Sequence, residues 1–127
     1  MATTVEIAQR TDRWARFAAV TVEVTGTTDL TVMVESPPDD SDDVRQEAAC
    51  GAWTAVRAIA ASGNGLRLAV TDIRTATGET GVGDVHEATA RAVWRALRID
   101  PEPTYGGFSE PEVMTSLRDR WCKPPSL

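Results

Sequence analysis

The stretch Ala18-Ala19-Val20-Thr21-Val22-Glu23-Val24-Thr25-Gly26-Thr27-Thr28-Asp29-Leu30-Thr31-Val32-Met33-Val34 holds two alternating runs around a polar turn. Val20, Val22 and Val24 alternate with Thr21 and Glu23, while Leu30, Val32 and Val34 alternate with Thr31 and Met33. A period of two puts every second side chain on one face, so both runs read as strands with one buried side. Upstream, Val5 and Ile7 begin a shorter run of the same kind, and polar residues turn the chain into the strand at 14–24. The short polar connection at 25–29 predicts that the first three strands pair as antiparallel hairpins.

Downstream, Pro37 and Pro38 end the strand, and Asp39, Asp40, Ser41, Asp42 and Asp43 supply caps and negative charge to a helix start. The helix is expected over 42–62, with Val44, Ala48, Ala52, Ala55, Val56 and Ile59 as its core stripe. Gly51 lies within that stripe and marks a close packing contact, and Gly63-Asn64-Gly65 ends the helix. Leu66, Leu68 and Val70 return to alternation in a strand running to Thr77. Asp84 then caps a second helix over 84–98, with Val85, Thr89, Ala92, Val93 and Ala96 inward. This order predicts an α+β fold: an antiparallel sheet of about four strands with both helices on one face.

The uncovered sheet face would carry Ala19, Thr21, Glu23, Thr31, Met33, Glu35, Arg67, Ala69 and Thr71. Trp53 and Trp94 project off their helices' core stripes and are expected to face outward, where the tail, the neighbouring helix or a second subunit must cover them. Residues 1–99 read as the α+β domain. In 100–127, the aromatic connector Tyr105-Gly106-Gly107-Phe108 leads to the capping box Ser109-Glu110-Pro111-Glu112. Val113, Met114, Leu117 and Trp121 follow on one face of a C-terminal amphipathic helix, a latch or dimerisation arm. A homodimer is the expected state.

Composition narrows the function classes. The chain has 127 residues, a net charge of −6 and 42% hydrophobic residues, the profile of one soluble domain. An acidic surface repels phosphates, which argues against a nucleic-acid partner. No apolar run approaches a membrane span, and Met1-Ala2-Thr3-Thr4 lacks the regions of a signal peptide, so the cytoplasm is the expected compartment. Cys50 and Cys122 are too far apart in sequence to suggest a disulfide scaffold or a zinc site, and Cys50 reads as a small packing residue. The acidic run lacks calcium-loop spacing. The loop Gly78-Glu79-Thr80-Gly81-Val82-Gly83 lacks the Lys-Ser/Thr ending of a phosphate loop. Neither a metal nor a cofactor is expected.

Catalytic candidates are few. His86 is the only histidine and sits at the edge of its helix's core stripe, where a structural role is favoured over a general base. Asp72 and Arg74 end a strand near converging loops and read first as a surface ion pair. Glu87, Arg91 and Arg95 form a ladder of charges four residues apart, read as a solvated face.

Along these elements the chain resembles domain IV of translation elongation factor G, of the ribosomal protein S5 domain 2-like fold. The resemblance is carried by Ile7-Ala8-Gln9 with Phe17-Ala18-Ala19-Val20-Thr21-Val22-Glu23-Val24, by Ser62-Gly63 before the strand at 66–72, and by Gly78 with Glu87-Ala88 and the helix at 92–97. It covers roughly residues 5–98. The family's glycine-rich first loop is here Arg10-Thr11-Asp12-Arg13-Trp14-Ala15-Arg16, and its tip histidine has no counterpart. The resemblance therefore implies a borrowed scaffold.

In size, acidity, Arg-biased composition and lack of cofactor motifs, the chain is also similar to the lysinoalanine-forming proteins of duramycin- and cinnamycin-type lanthipeptide biosynthesis. That resemblance implies a peptide-tailoring protein that joins a Lys amine to dehydroalanine, with the base carried by the substrate. Arg16, Arg74, Tyr105 and Phe108 are its expected peptide-binding residues, and His86 is the candidate base within the protein. The alternative is a non-enzymatic RNA- or ribosome-binding module that uses Arg10, Arg13 and Arg16 with Trp14 and Phe17. A structural subunit of a larger enzyme is a third reading.

Overall fold

The computed structural model describes residues 2–12, 15–26, 31–36, 40–58, 65–81, 83–99 and 102–103. The expected C-terminal helix, Tyr105, Phe108, Arg13 and Trp14 lie outside the described residues. The elements are β1 (Ala2–Arg10), β2 (Ala15–Gly26), β3 (Thr31–Val34), α1 (Asp42–Ala58), β4 (Leu66–Arg74) and α2 (Asp84–Ala96). They form an α+β fold with one four-stranded sheet in the order β1-β2-β4-β3.

The β1–β2 pair is the expected antiparallel hairpin, with Val5 opposite Val20 and Ile7 opposite Ala18. The second hairpin does not form. Instead β4 lies between β2 and β3, antiparallel to the first and parallel to the second. The physical reason is the excursion through α1, which is long enough to return the chain beside β3 in a parallel sense. Because β4 lies between them, β2 and β3 face each other only across it.

Val5, Ile7, Ala18, Val20, Val22, Leu68, Val70 and Ile73 from the sheet join Ala48, Ala52, Ala55, Val56, Val85, Ala88, Ala92 and Val93 from both helices in a single core. The alternation and the two helical stripes therefore meet as expected. Gly51 is where the helices touch. A Cβ there would lie 2.5 Å from the His86 carbonyl oxygen and 2.9 Å from Thr89 Cβ.

The helix pair corrects one reading. Trp94 faces inward and is 1% exposed, and its indole Nε1–H donates to the Ala55 carbonyl at 3.0 Å. A stripe drawn for the sheet alone omits the flank of α2 that abuts α1. Trp53 is only partly exposed. Cys50 is fully buried and engaged in a disulfide, so it is more than a packing residue. The one other cysteine of the sequence, Cys122, lies outside the described residues.

Candidate functional site

The surface opposite the helices has a hollow where β1, β2 and β4 run side by side. Two cross-strand rows build it: Glu6, Ala19 and Arg74 in one, Thr4, Thr21 and Asp72 in the other. Ala19 is the short side chain between two long ones, so the middle strand forms a floor and Glu6 and Arg74 form the walls. The hollow is about 250 Å³ and is lined by these six residues. Thr4 and Thr21 share a hydroxyl hydrogen bond of 2.7 Å, and Arg74 Nε donates to Asp72 at 3.2 Å.

A bulge places the acidic and basic groups there. Thr21 is opposite Asp72 while Val22 is opposite Val70, which leaves Thr71 as an extra residue on β4. Beyond it the alternation inverts. Ile73 turns into the core at 5% exposure, and Asp72 and Arg74 turn to the uncovered face. Unbroken alternation from Leu66 would have buried Asp72. The signal was present in Val70-Thr71-Asp72-Ile73, where two apolar residues stand three apart.

A second concavity of about 310 Å³ runs along the outer edge of β1. It is lined by Val5, Glu6, Ile7, Ala8 and Gln9 on the strand and by Glu87, Arg91 and Arg95 on α2. Glu6 therefore borders both concavities.

Arg16 lies elsewhere. It reaches from β2 toward α2 and donates from Nε to Asp84 at 2.7 Å and from Nη2 to Glu87 at 2.9 Å. Partial burial lowers its pKa, but the bonds to the two carboxylates outweigh that and leave it raised. Glu87 is 8% exposed and also takes a bond from Arg91 Nε at 2.9 Å, so this end of the charge ladder is enclosed and not solvated. Burial pushes the Glu87 pKa up, and Arg16 and Arg91 more than reverse it. Arg16 thus fastens the start of β2 to the first turn of α2, while Arg74 stands in the open-face hollow. The structure does not bring the two arginines together.

His86 is completely buried, with Nε2 and the Thr54 hydroxyl 2.9 Å apart. Burial lowers its pKa to about 4, against a small opposing pull from Glu87. A ring held between two helices cannot reach a substrate on the sheet, so His86 serves the helix interface. The Gly78–Gly83 loop is similarly structural. The Thr80 hydroxyl donates to the Phe17 carbonyl at 2.7 Å and accepts the Ala76 N–H at 2.8 Å, which ties the loop to β2. Among the described residues no group of three His, Cys, Asp or Glu side chains is arranged to hold a metal, and no helix is long and apolar enough to cross a membrane.

No protein-family model matches the chain, and no curated protein matches its sequence. A protein from Thermus thermophilus, known from its crystal structure, is similar at a TM-score of 0.62 over 72% of this chain, with 9% identity. The match takes up 14% of that protein, so this chain spans about one seventh of its length. At that identity the likeness shows an α+β fold and nothing of activity.

Proposed function

We propose that the protein is a small peptide-tailoring protein that holds a modified peptide against the open sheet face and promotes lysinoalanine formation. The observation that carries this reading is the hollow floored by Ala19, with Glu6 and Arg74 on opposite walls. A carboxylate attracts a Lys ammonium, and a guanidinium holds a peptide carbonyl or carboxylate. In the reaction the held ammonium first gives a proton to the base, and the neutral Lys nitrogen then bonds to Cβ of dehydroalanine as the π electrons shift to Cα. One proton leaves nitrogen and one arrives at Cα, so the peptide is isomerised without oxidant, reductant or leaving group. Alignment of amine and alkene can itself supply several kcal/mol of the barrier, up to roughly 7–11 for ideal geometry. With His86 enclosed, the base is carried by the substrate. Tyr105 and Phe108 are proposed to complete peptide binding, and no cofactor or metal takes part.

The scaffold is proposed to be a relative of elongation factor G domain IV. The element order over 5–98 supports that origin. The RNA- or ribosome-binding alternative is weakened by three ion pairs. Arg10 pairs with Glu79 at 2.6 Å, and Arg16 with Asp84 and Glu87, which offsets the positive charge of the hairpin. A cytoplasmic homodimer remains the proposed state, although a disulfide at Cys50 is uncommon in that compartment.

The test is a cross-linking assay with a dehydrated, thioether-bridged peptide and no added metal, nucleotide or flavin. Mass does not change, so loss of the thiol-reactive alkene is followed. Wild-type protein should speed that loss, and Glu6→Gln or Arg74→Gln should each slow it about tenfold, the worth of a charge-assisted hydrogen bond. If the protein gives no acceleration, the enzymatic reading fails.

A further inference from the structure

The groove along the outer edge of β1 makes a different contact with a peptide from the hollow. β1 is a nine-residue strand at the edge of the described sheet, paired only on its β2 side there. Such an edge presents backbone N–H and C=O groups to any extended chain laid against it. On the helix side Arg91 and Arg95 border the groove, and a carboxylate already sits between them. Glu102 lies 3.4 Å from Arg91 and 3.6 Å from Arg95. Those distances are long for ion pairs, and Arg95 is half exposed. The site accepts a carboxylate without gripping it.

We propose that this groove binds an extended acidic peptide by strand addition to β1, with a peptide carboxylate displacing Glu102 from Arg91 and Arg95. Charge complementarity selects the occupant: beside Glu87, which holds Arg91 through Nε at 2.9 Å, the helix wall offers Arg91 Nη1 and Arg95 Nε, where the chain's own Glu102 is loosely held. Strand geometry adds a rule of sequence. Alternate residues of an added strand face opposite sides. A residue facing the helix side meets Arg91 and Arg95, while its immediate neighbours face the open side beside Glu6, which lines both concavities. The favoured peptide therefore carries an acid at an odd spacing from a Lys. This deepens the peptide-tailoring reading by naming its substrate class, and it rests on that reading for the role of the Lys.

The test uses a fluorescein-labelled ten-residue peptide with adjacent Glu and Lys, read by anisotropy. Three changes should weaken its binding: the Glu→Gln peptide, the Arg95→Gln protein, and N-methylation of alternate peptide amides. The two charge changes should each cost about fivefold, the upper worth of an exposed ion pair. Glu102→Gln should tighten binding, because the internal competitor is gone, and a merely structural role for Glu102 predicts no such gain. Binding that is lost in Arg74→Gln but ignores N-methylation and Arg95→Gln overturns strand addition and leaves the open-face reading standing. Binding with the expected pattern but no cross-linking supports the groove and sinks the tailoring reaction. No binding overturns strand addition, and the tailoring reading then stands or falls on the cross-linking assay alone. Protection from exchange of the β1 amides that point away from β2, in the unliganded protein, would show that residues 104–127 or a second copy occupy the edge, and would also overturn the proposal.

Discussion

Glu47 on α1 accepts the backbone N–H of His86 on α2 at 3.2 Å, and its other oxygen takes the N–H of Gly83 at 3.3 Å. α2 starts at Gly83, whose φ of 95° suits glycine and which has no side chain to cap the helix. The cap comes from the neighbouring helix. Glu47→Ala should therefore destabilise the fold by about 1–2 kcal/mol in urea unfolding, the usual worth of a lost cap. Glu47→Gln keeps one acceptor oxygen for the two N–H groups and should lose about half as much. Burial raises the Glu47 pKa despite these backbone bonds, so its ionised form carries a penalty that grows as pH rises through the folded pKa. An equal loss in both variants would show that the bonds are not the source.

Gly51→Ala tests the helix contact. The new methyl would meet a backbone carbonyl and a β-carbon, neither of which can swing aside. A loss of about 1–3 kcal/mol is expected, the range for overpacking. A neutral or stabilising effect, as for Gly→Ala on a free helix surface, would contradict the packing.

His86 should make the protein acid-sensitive. Its folded pKa of about 4 lies below the ordinary 6.5, so the unfolded chain binds more protons between those values. Stability from this group is full above 6.5 and is lost as pH falls toward 4, by on the order of 3 kcal/mol. Urea unfolding of wild type and His86→Gln between pH 7 and pH 4.5 checks this. The variant should show a shallower decline, and identical slopes would contradict the assignment.

Light scattering at micromolar concentration tests the homodimer. The expected mass is twice the 13.7 kDa of the chain. The case for a partner now rests on partly exposed Trp53 more than on Trp94, which α1 covers. A monomer mass would contradict it.

Much of the fold was legible because buried strands and helices impose two different periods. Val20, Val22 and Val24 against Thr21 and Glu23 admitted one reading, and the stripe from Ala48 to Val56 another. Strand order was less legible. Alternation within β3 is the same whether its neighbour is β2 or β4, and only the α1 excursion decides. The site was hidden by single-residue events. Thr71 inverts the face of Asp72 and Arg74, and Glu6 attracts notice only once Ala19 is seen between it and Arg74. Arg16 read as a ligand-binding cation because its partners Asp84 and Glu87 stand 68 and 71 residues away.

In the proposed complex a peptide is held across Ala19 between Glu6 and Arg74. Titration of ¹⁵N-labelled protein with the dehydrated, thioether-bridged peptide, followed by amide chemical shifts, tests it most directly. The amides of Thr4, Glu6, Ala19, Thr21, Asp72 and Arg74 should shift together, and Arg74→Gln should abolish the shifts at the same peptide concentration. Shifts confined to Arg10, Arg16 and Phe17, or none with peptide but a response to RNA, would contradict it.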